Sequence, residues 1–592
     1  MSTTQDASSS SGHTPWVHRT SFGVLFAVAL AVVTTVPSHV TRDLWAPDEP
    51  RYMEVSREMV VMNDYVVLHL NGEEYIEKTP LFFWLTAGLY RAGLGFNSGR
   101  IVSTFATIGI LLVLYWFGRR LLGPTGGLLA AAATATLILF TSTSKLGVLD
   151  PLLTFFITSA IAAGYVALEG GSPRARWAWL LCYAAVGFGI LTKGPIALVL
   201  TGFVLGVYAL LNWRKVTVWS WMHVPGVVLM LAVVSIWLIP VLQRGGPEYA
   251  LTVLIEKSTS RVVESWSHRH GPLYYVQNLA GYLFPWGFFA VLATAQAVRD
   301  WRRAPGAGDG SGDRGAILLA LWFVGILVLL SAVSGKRARY VVPLLPAAGL
   351  LSARYFVLAA RAGFPWPRLQ KWSALLTFVP TALVALCLPV LLVKAPALVD
   401  RALLDEADTQ ALAASVLTPG TLVAGGAVAV VLLALAVAGI WSAVRRSRPL
   451  FTATVLVALT LVVSLGFDTV VCSVVNPFKS GRDFAVLALP HLRKADRIYM
   501  YGSSFSGTYN LYTGILSMPV IGLRDTEELV RLLGSAEKVA VIGMEKQLQP
   551  RMPECPPGTK VIVAERVGHR NMLLLGNKAL AAAAGEAKGP AR

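Results

Sequence analysis

Long apolar runs, each near the length of a membrane crossing, alternate with short polar connections from residue 22 to residue 472. A crossing helix needs about 20 mostly apolar residues. Runs of that kind fall at 22–40, 100–121, 125–143, 149–168, 177–192, 194–211, 224–243, 279–298, 315–333, 341–360, 373–394, 420–443 and 449–472, so the pattern predicts thirteen membrane helices. Beyond residue 480 the pattern changes. Strand-length stretches at 497–502, 516–521, 538–543 and 560–567 alternate with helical ones at 506–512 and 526–534, as in a small α/β domain. The expected fold is a mostly α, polytopic membrane protein with a small C-terminal α/β domain. Its expected parts are a disordered Ser/Thr-rich start (1–15), a membrane domain (16–475), a soluble domain (476–578) and a flexible Ala/Lys/Gly-rich end (579–592).

Composition agrees. Only 14% of the 592 residues are charged, 55% are hydrophobic and mean hydropathy is +0.59, against about 25% charged in soluble domains. The net charge of +18 is a topology signal. Arg119-Arg120, Arg174 with Arg176, Arg214-Lys215, and the basic residues of 299–314, 361–371 and 445–448 fall in alternate connections. A cytoplasmic N-terminus puts all of them inside. No basic stripe lies on a soluble domain, so no nucleic-acid partner is expected. An odd number of spans sends the chain after 472 outside.

The four cysteines, Cys182, Cys387, Cys472 and Cys555, form no CxxC or Cys/His cluster, hence no zinc or haem framework. Gly502-Ser-Ser-Phe-Ser-Gly507 lacks the spacing of a nucleotide fingerprint, so no nucleotide cofactor is expected. Pro37-Ser-His-Val after the first run is not a cleavage site, and that run reads as an uncleaved anchor.

Two outer connections are long, 41–99 and 244–278. Within the first, 52–64 mixes Met53, Met59 and Val60 with Glu54, Arg57 and Glu58, as in an amphipathic helix lying in the interface. Ionisable groups at membrane depth are costly and usually functional. Asp48 and Glu49 are adjacent carboxylates, the kind of pair that general-base catalysis or a divalent cation needs; the plainer reading is interface charge paired with Arg51. Glu77-Lys78 sets a base beside a cation able to hold a phosphate as a point charge, or else a snorkelling interface lysine. Asp150, in Gly147-Val-Leu-Asp-Pro151, sits between two apolar runs and wants a cation; before Pro it also suits a helix cap. Lys193 joins the same face. His268 and His270 alone are weak metal ligands and need a carboxylate. Lys336, Arg337 and Arg339 break the inside rule on an outer connection and so favour a phosphate or pyrophosphate.

Asp48-Glu-Pro-Arg-Tyr52 and Glu77-Lys-Thr-Pro-Leu81, followed in order by Gly147–Pro151, Leu191-Thr-Lys-Gly-Pro195, His268–Tyr275 and Lys336–Pro346, resemble the GT-C glycosyltransferases of the protein O-mannosyltransferase superfamily. Among these the chain looks most like the bacterial lipid A aminoarabinose transferases, over nearly its whole length. The resemblance implies an inverting transferase of the bacterial inner membrane with its site on the periplasmic face. The donor would be a sugar such as 4-amino-4-deoxy-L-arabinose on undecaprenyl phosphate; the acceptor would be lipid A, another glycan or a protein. It implies Asp48 as general base, assisted by Asp150, with Glu49 as the second carboxylate. It implies Lys78, Arg51, Lys336, Arg337, Arg339 and Tyr340 around the donor phosphate, with Lys193 and Tyr52 nearby. Glu77 and a histidine, His268 in preference to His270, would hold a divalent metal: zinc, magnesium or manganese. Two other classes fit less well. An O-antigen ligase or other lipid-phosphate enzyme keeps its site in one late outer loop. A transporter or flippase shows repeats and charges at the midplane of its spans.

Overall fold

The computed structural model describes residues 20–256, 270–303, 314–363, 365–400, 416–445, 448–567 and 570–584. The expected start (1–15) lies outside them. Ten helices among the described residues are long and apolar enough to cross a membrane. Two helix pairs, Pro124–Ala135 with Ile138–Ser144 and Tyr274–Tyr282 with Gly287–Arg303, bend by 70° and 115° at short breaks, and Ile196–Leu211 is a shorter apolar helix. Each expected apolar run falls on one of these elements.

The two breaks face each other. Ile138 N–H donates to Phe284 O at 3.0 Å, and the Trp286 indole donates to Thr136 Oγ1 at 2.9 Å. Backbone freed inside a bilayer must find a partner, and each break supplies one for the other. The run expected at 100–121 is the distal part of a longer apolar stretch, Leu81–Leu122. Its helices Leu81–Leu89 and Ser98–Leu122 are joined through Tyr90–Asn97, where Gly93 (φ +90°) and Gly95 (φ +60°) adopt a conformation that side chains other than glycine's resist.

The ends of the bundle differ in charge. At one end Arg361 donates to Leu122 O at 3.2 Å, Arg314 pairs with Glu169 at 2.9 Å, and Arg176 and Arg299 lie over the Trp221 and Trp366 rings. Exposed Trp213, Trp219 and Trp221 ring this end, as interface aromatics do. The other end carries the opposite termini of these helices. Asp150 and Glu169 sit at opposite ends of the 21-residue helix Leu149–Glu169, about 30 Å apart.

The C-terminal sheet stacks on this second end. A short hairpin precedes it in the first long connection: β1 (His69–Leu70) and β2 (Glu73–Glu74). The sheet itself comprises β3 (Arg497–Tyr501), β4 (Val520–Ile521), β5 (Val539–Met544), β6 (Lys560–Val567) and β7 (Arg570–Gly576), in the order β4-β3-β5-β7-β6. β3 runs parallel to β4 and β5, and β7 antiparallel to β5 and β6. The sequence pattern gave β7 no strand. Met572–Leu575 is apolar at every position and buried on both faces, so it shows no alternation to read. The strand expected at 516–521 shrinks to β4. The end expected to be flexible from 579 begins as the helix Lys578–Ala584. Asn577 Oδ1 accepts from Leu580 N and Val539 N, each at 3.1 Å, and ties that helix to β5.

The helix Asp48–Val61 corrects the interface reading of 52–64. Nearly every residue from Asp48 to Met59 is buried. Arg57 binds both oxygens of Glu54 at 2.7 Å, and Glu58 accepts from the Asn71 and Gly72 amides at 2.6 and 3.0 Å. Its polar groups are bonded within the protein, and it is wedged between the membrane helices and the sheet domain.

Candidate active site

At the second end a cavity of about 180 Å³ opens under the first long connection. The Asp48–Val61 helix contributes Asp48, Arg51 and Tyr52, and the turn before Leu81 contributes Glu77 and Lys78. Asp150 comes from the first turn of Leu149–Glu169, and Lys193 from the last turn of Ala178–Lys193. The remaining wall is 335–340, with Lys336, Arg337, Arg339 and Tyr340. The fold thus brings eleven sequence-nominated residues to one space, although they lie far apart in the chain. Six are cations and three are carboxylates. That excess of positive charge suits an anion with more than one acidic oxygen.

Asp48 is 5% exposed. Its Oδ2 pairs closely with Arg339 and lies 3.9 Å from Arg337. Burial pushes the carboxyl up, but Arg339, then Arg337 and Arg51, outweigh it and hold the group below the usual carboxylate range. Asp150 Oδ1 accepts from Lys193 Nζ at 2.6 Å. It is not the helix cap, because Val148 takes that place in an extended conformation. The Lys193 ammonium lies 4.8 Å from the Tyr340 ring centroid, a cation–π contact. Arg51 donates to Ser506 Oγ of the sheet domain at 2.8 Å. Tyr52 meets Phe82 and Phe83 edge-on. Lys336 is 2% exposed and donates to the carbonyls of Val333 and His270.

Glu49 needs correction: it does not line the cavity. Its Oε1 accepts from Arg100 Nε at 2.9 Å and from Gly147 N at 3.0 Å. Its Oε2 accepts from Arg42 at 2.9 Å, and from Arg100 and Trp45 N at 3.3 Å. With two guanidiniums and two amides around it, no lone pair is left for an acceptor proton. The knot continues through Lys145, whose carbonyl accepts from Arg42 and whose ammonium pairs with Asp468 at 2.6 Å. Arg42, Arg100, Lys145 and Asp468 escaped the sequence reading. The signal was present in Asp468, a lone acid in an apolar run.

His268 lies outside the described residues. The His270 ring stacks on Tyr274 at a centroid distance of 4.1 Å. Among the described residues no three His, Cys, Asp or Glu side chains gather as a metal site. Of the nominated ligands among the described residues, Glu77 alone lines the cavity, so the described donor set is incomplete for a metal.

Residues 77–239 match the family described as dolichyl-phosphate-mannose-protein mannosyltransferase. The chain is 28% identical over 382 residues to the undecaprenyl phosphate-α-4-amino-4-deoxy-L-arabinose arabinosyl transferase of Erwinia tasmaniensis, covering 64% of this chain and 66% of that one. It is 31% identical over 349 residues to the enzyme of the same name from Pseudomonas aeruginosa, covering 57% and 60%. The matched parts thus span less than two thirds of these relatives. The crystal structure of ArnT from Cupriavidus metallidurans bound to undecaprenyl phosphate superposes with a TM-score of 0.72 at 22% identity, over 94% of this chain and 98% of that one. The chain is therefore a multi-pass membrane protein with the GT-C fold seen in ArnT, and in sequence a relative of the aminoarabinose transferases.

Proposed function

We propose that the protein is a glycosyltransferase that moves a sugar from undecaprenyl phosphate to an acceptor at the periplasmic face of a bacterial inner membrane. The relatives' names point to 4-amino-4-deoxy-L-arabinose as the sugar, and lipid A, another glycan or a protein is the acceptor. One observation carries the reading. Six cations and three carboxylates converge on one cavity, at the end of the bundle opposite its Arg- and Trp-rich rim. A cytoplasmic rim follows the positive-inside rule and supports a cavity on the outer face.

The chemistry follows from the groups present. The acceptor oxygen attacks the anomeric carbon as the bond from that carbon to the phosphate oxygen breaks, with inversion. The phosphate leaves on its lipid, and Lys78, Arg337 and Arg339 meet the charge that grows on it. The Asp48 carboxylate takes the acceptor proton. At rest Asp48 is held by Arg339. A donor phosphate competes for that guanidinium and frees a carboxylate lone pair at the moment it is needed. Lys193, bonded to Asp150 at 2.6 Å, orients its carboxylate beside the sugar. The test is transfer from undecaprenyl phosphate-linked sugar in reconstituted vesicles. Asp48→Asn is expected to lose about 10²–10⁴-fold in rate, and wild-type transfer by this variant overturns the base assignment.

A divalent metal is a separate proposal, with Glu77 and His268 or His270 as its ligands, and no step above depends on it. Zinc bound by the purified protein should fall to background in Glu77→Ala; equal zinc content in both proteins rules out Glu77.

A further inference from the structure

The sheet domain touches a wall of the six-cation cavity through Ser506. Arg51 lines that cavity and donates to Ser506 Oγ at 2.8 Å, across 455 residues of sequence. Among the described residues this is the hydrogen bond that holds the Arg51 side chain, and no carboxylate pairs with it there. Its neighbours differ. Arg339 pairs closely with Asp48, and Arg337 lies 3.9 Å from the same oxygen. Lys193 is bonded to Asp150 at 2.6 Å. Their charge is partly cancelled at rest. Arg51 is held by a neutral hydroxyl, which fixes the direction of the guanidinium and leaves its charge uncancelled. A guanidinium carries several N–H donors in a planar fork, so the one given to Ser506 leaves the others to meet an anion.

The loop after β3 is shaped for this contact. Phe505 (φ +47°) and Ser506 (φ +57°) are consecutive non-glycine residues in the left-handed region. L residues resist that conformation, and it persists only where the surroundings impose it. Here the surroundings grip the loop on both sides of Ser506. Phe505 meets Tyr509 at a centroid distance of 5.3 Å. Gly507 lies so close to the Asp48–Val61 helix and β1 that a Cβ would fall 3.1 Å from Glu54 Cγ and 2.7 Å from Leu70 Cδ1. Three residues on, Asn510 donates to Asn71 Oδ1 at 2.8 Å. Glycine at 506 would take the same backbone more easily. Serine takes it under strain and adds the hydroxyl that Arg51 binds.

Resting on the transferase reading above, we propose that Ser506 is a positioning residue, by which the sheet domain aims the Arg51 guanidinium at the donor phosphate. An unheld arginine must give up the freedom of a long side chain when it binds an anion, and a side chain fixed beforehand avoids that loss. The strained loop keeps the hydroxyl in place, and the hydroxyl keeps Arg51 in place. Docking of the sheet domain and binding of the donor then favour each other, because a sheet domain lifted from the Asp48 helix takes the hydroxyl with it.

The test is a double-mutant cycle on undecaprenyl phosphate binding by the full chain in nanodiscs. Ser506→Gly should weaken binding by about three- to tenfold, up to the scale of one hydrogen bond to a charged group. It should melt no lower than wild type, because glycine relaxes the left-handed backbone. Ser506→Ala, which keeps the strain and loses the hydroxyl, should weaken binding equally. With Arg51→Ala already in place, Ser506→Gly should change binding by less than about twofold. In transfer assays the donor KM should rise with kcat nearly unchanged, the mark of lost phosphate binding. Wild-type affinity in both Ser506 variants, or an equal loss from Ser506→Gly on the Arg51→Ala background, overturns the positioning role. A wild-type protein that gives this cycle with undecaprenyl phosphate yet transfers no sugar overturns the transferase reading and leaves the role of Ser506 standing.

Discussion

Asp48 and Glu49 are neighbours in sequence and sit in two different electrostatic regions. Glu49 is locked into a knot with Arg42 and Arg100 and accepts from the Gly147 amide. Asp48 faces a cavity where cations outnumber carboxylates two to one, and its arginines are 24% and 39% exposed at the side chain. The knot pairs its carboxylates with cations within the protein, whereas the cavity is unbalanced and wet enough for its partners to be exchanged. A carboxylate whose donors are all buried builds structure. One whose cations can be drawn off by a ligand is available for chemistry. The knot also serves the cavity, because Glu49 ties the first turn of the Asp48 helix to Gly147, three residues before Asp150.

This contrast is broken most directly by exchanging the two losses. Asp48→Asn should fold like wild type and fail in transfer. Glu49→Ala should do the reverse first, leaving two guanidiniums buried and unpaired. Removing one partner from a buried pair costs about 3–5 kcal/mol, so the variant should melt far below wild type in detergent or fail to accumulate. Glu49→Gln, which keeps the shape and loses the charge, should fall between. If Glu49→Ala melts with wild type while transfer collapses, Glu49 is a reacting group and the division drawn here is wrong.

How much of this could be read in the sequence depends on the range of the interaction. The spans were legible because about 20 apolar residues in a row is a strong local signal. The paired breaks near Thr136 and Phe284 were not, since each is stabilised by the other across about 150 residues. The cavity residues stood out as charges at the ends of apolar runs. Glu49 stood out for the same reason and was assigned to chemistry, because its partner Arg100 lies 51 residues away. The Asp48–Val61 helix looked amphipathic because its second covering face arrives from the sheet domain: Asn71, held beside Glu58, bonds Met518 and Asn510 more than 400 residues on.

Glu58 supplies the finest probe of the comparison, being a buried acid with no cation of its own. Arg57 is committed to Glu54, and Glu58 is held by the amides of Asn71 and Gly72 and by the Glu54 carboxyl. Burial, only partly offset by those amides and reinforced by Glu54, pushes its carboxyl up to about 8. A pKa raised in the folded state means that the docked protein holds a proton the undocked chain releases near 4.3. The contribution to stability is therefore full below about pH 4.3 and is lost as pH rises to about 8, above which it is flat. The slope in that window can reach about 1.4 kcal/mol per pH unit for a single proton. The joint that holds the sheet domain on the Asp48 helix should loosen across neutral pH, seen as a falling melting temperature between pH 5 and 8. Glu58→Gln, neutral at every pH, should flatten that slope to whatever Glu54, also raised by burial, contributes, whereas Glu49→Gln should not, because Glu49 is held below the usual carboxylate range by its two arginines. An unchanged slope in Glu58→Gln would place the titrating proton elsewhere, on a group other than Asp48 or Glu49, whose arginines hold both below the usual carboxylate range.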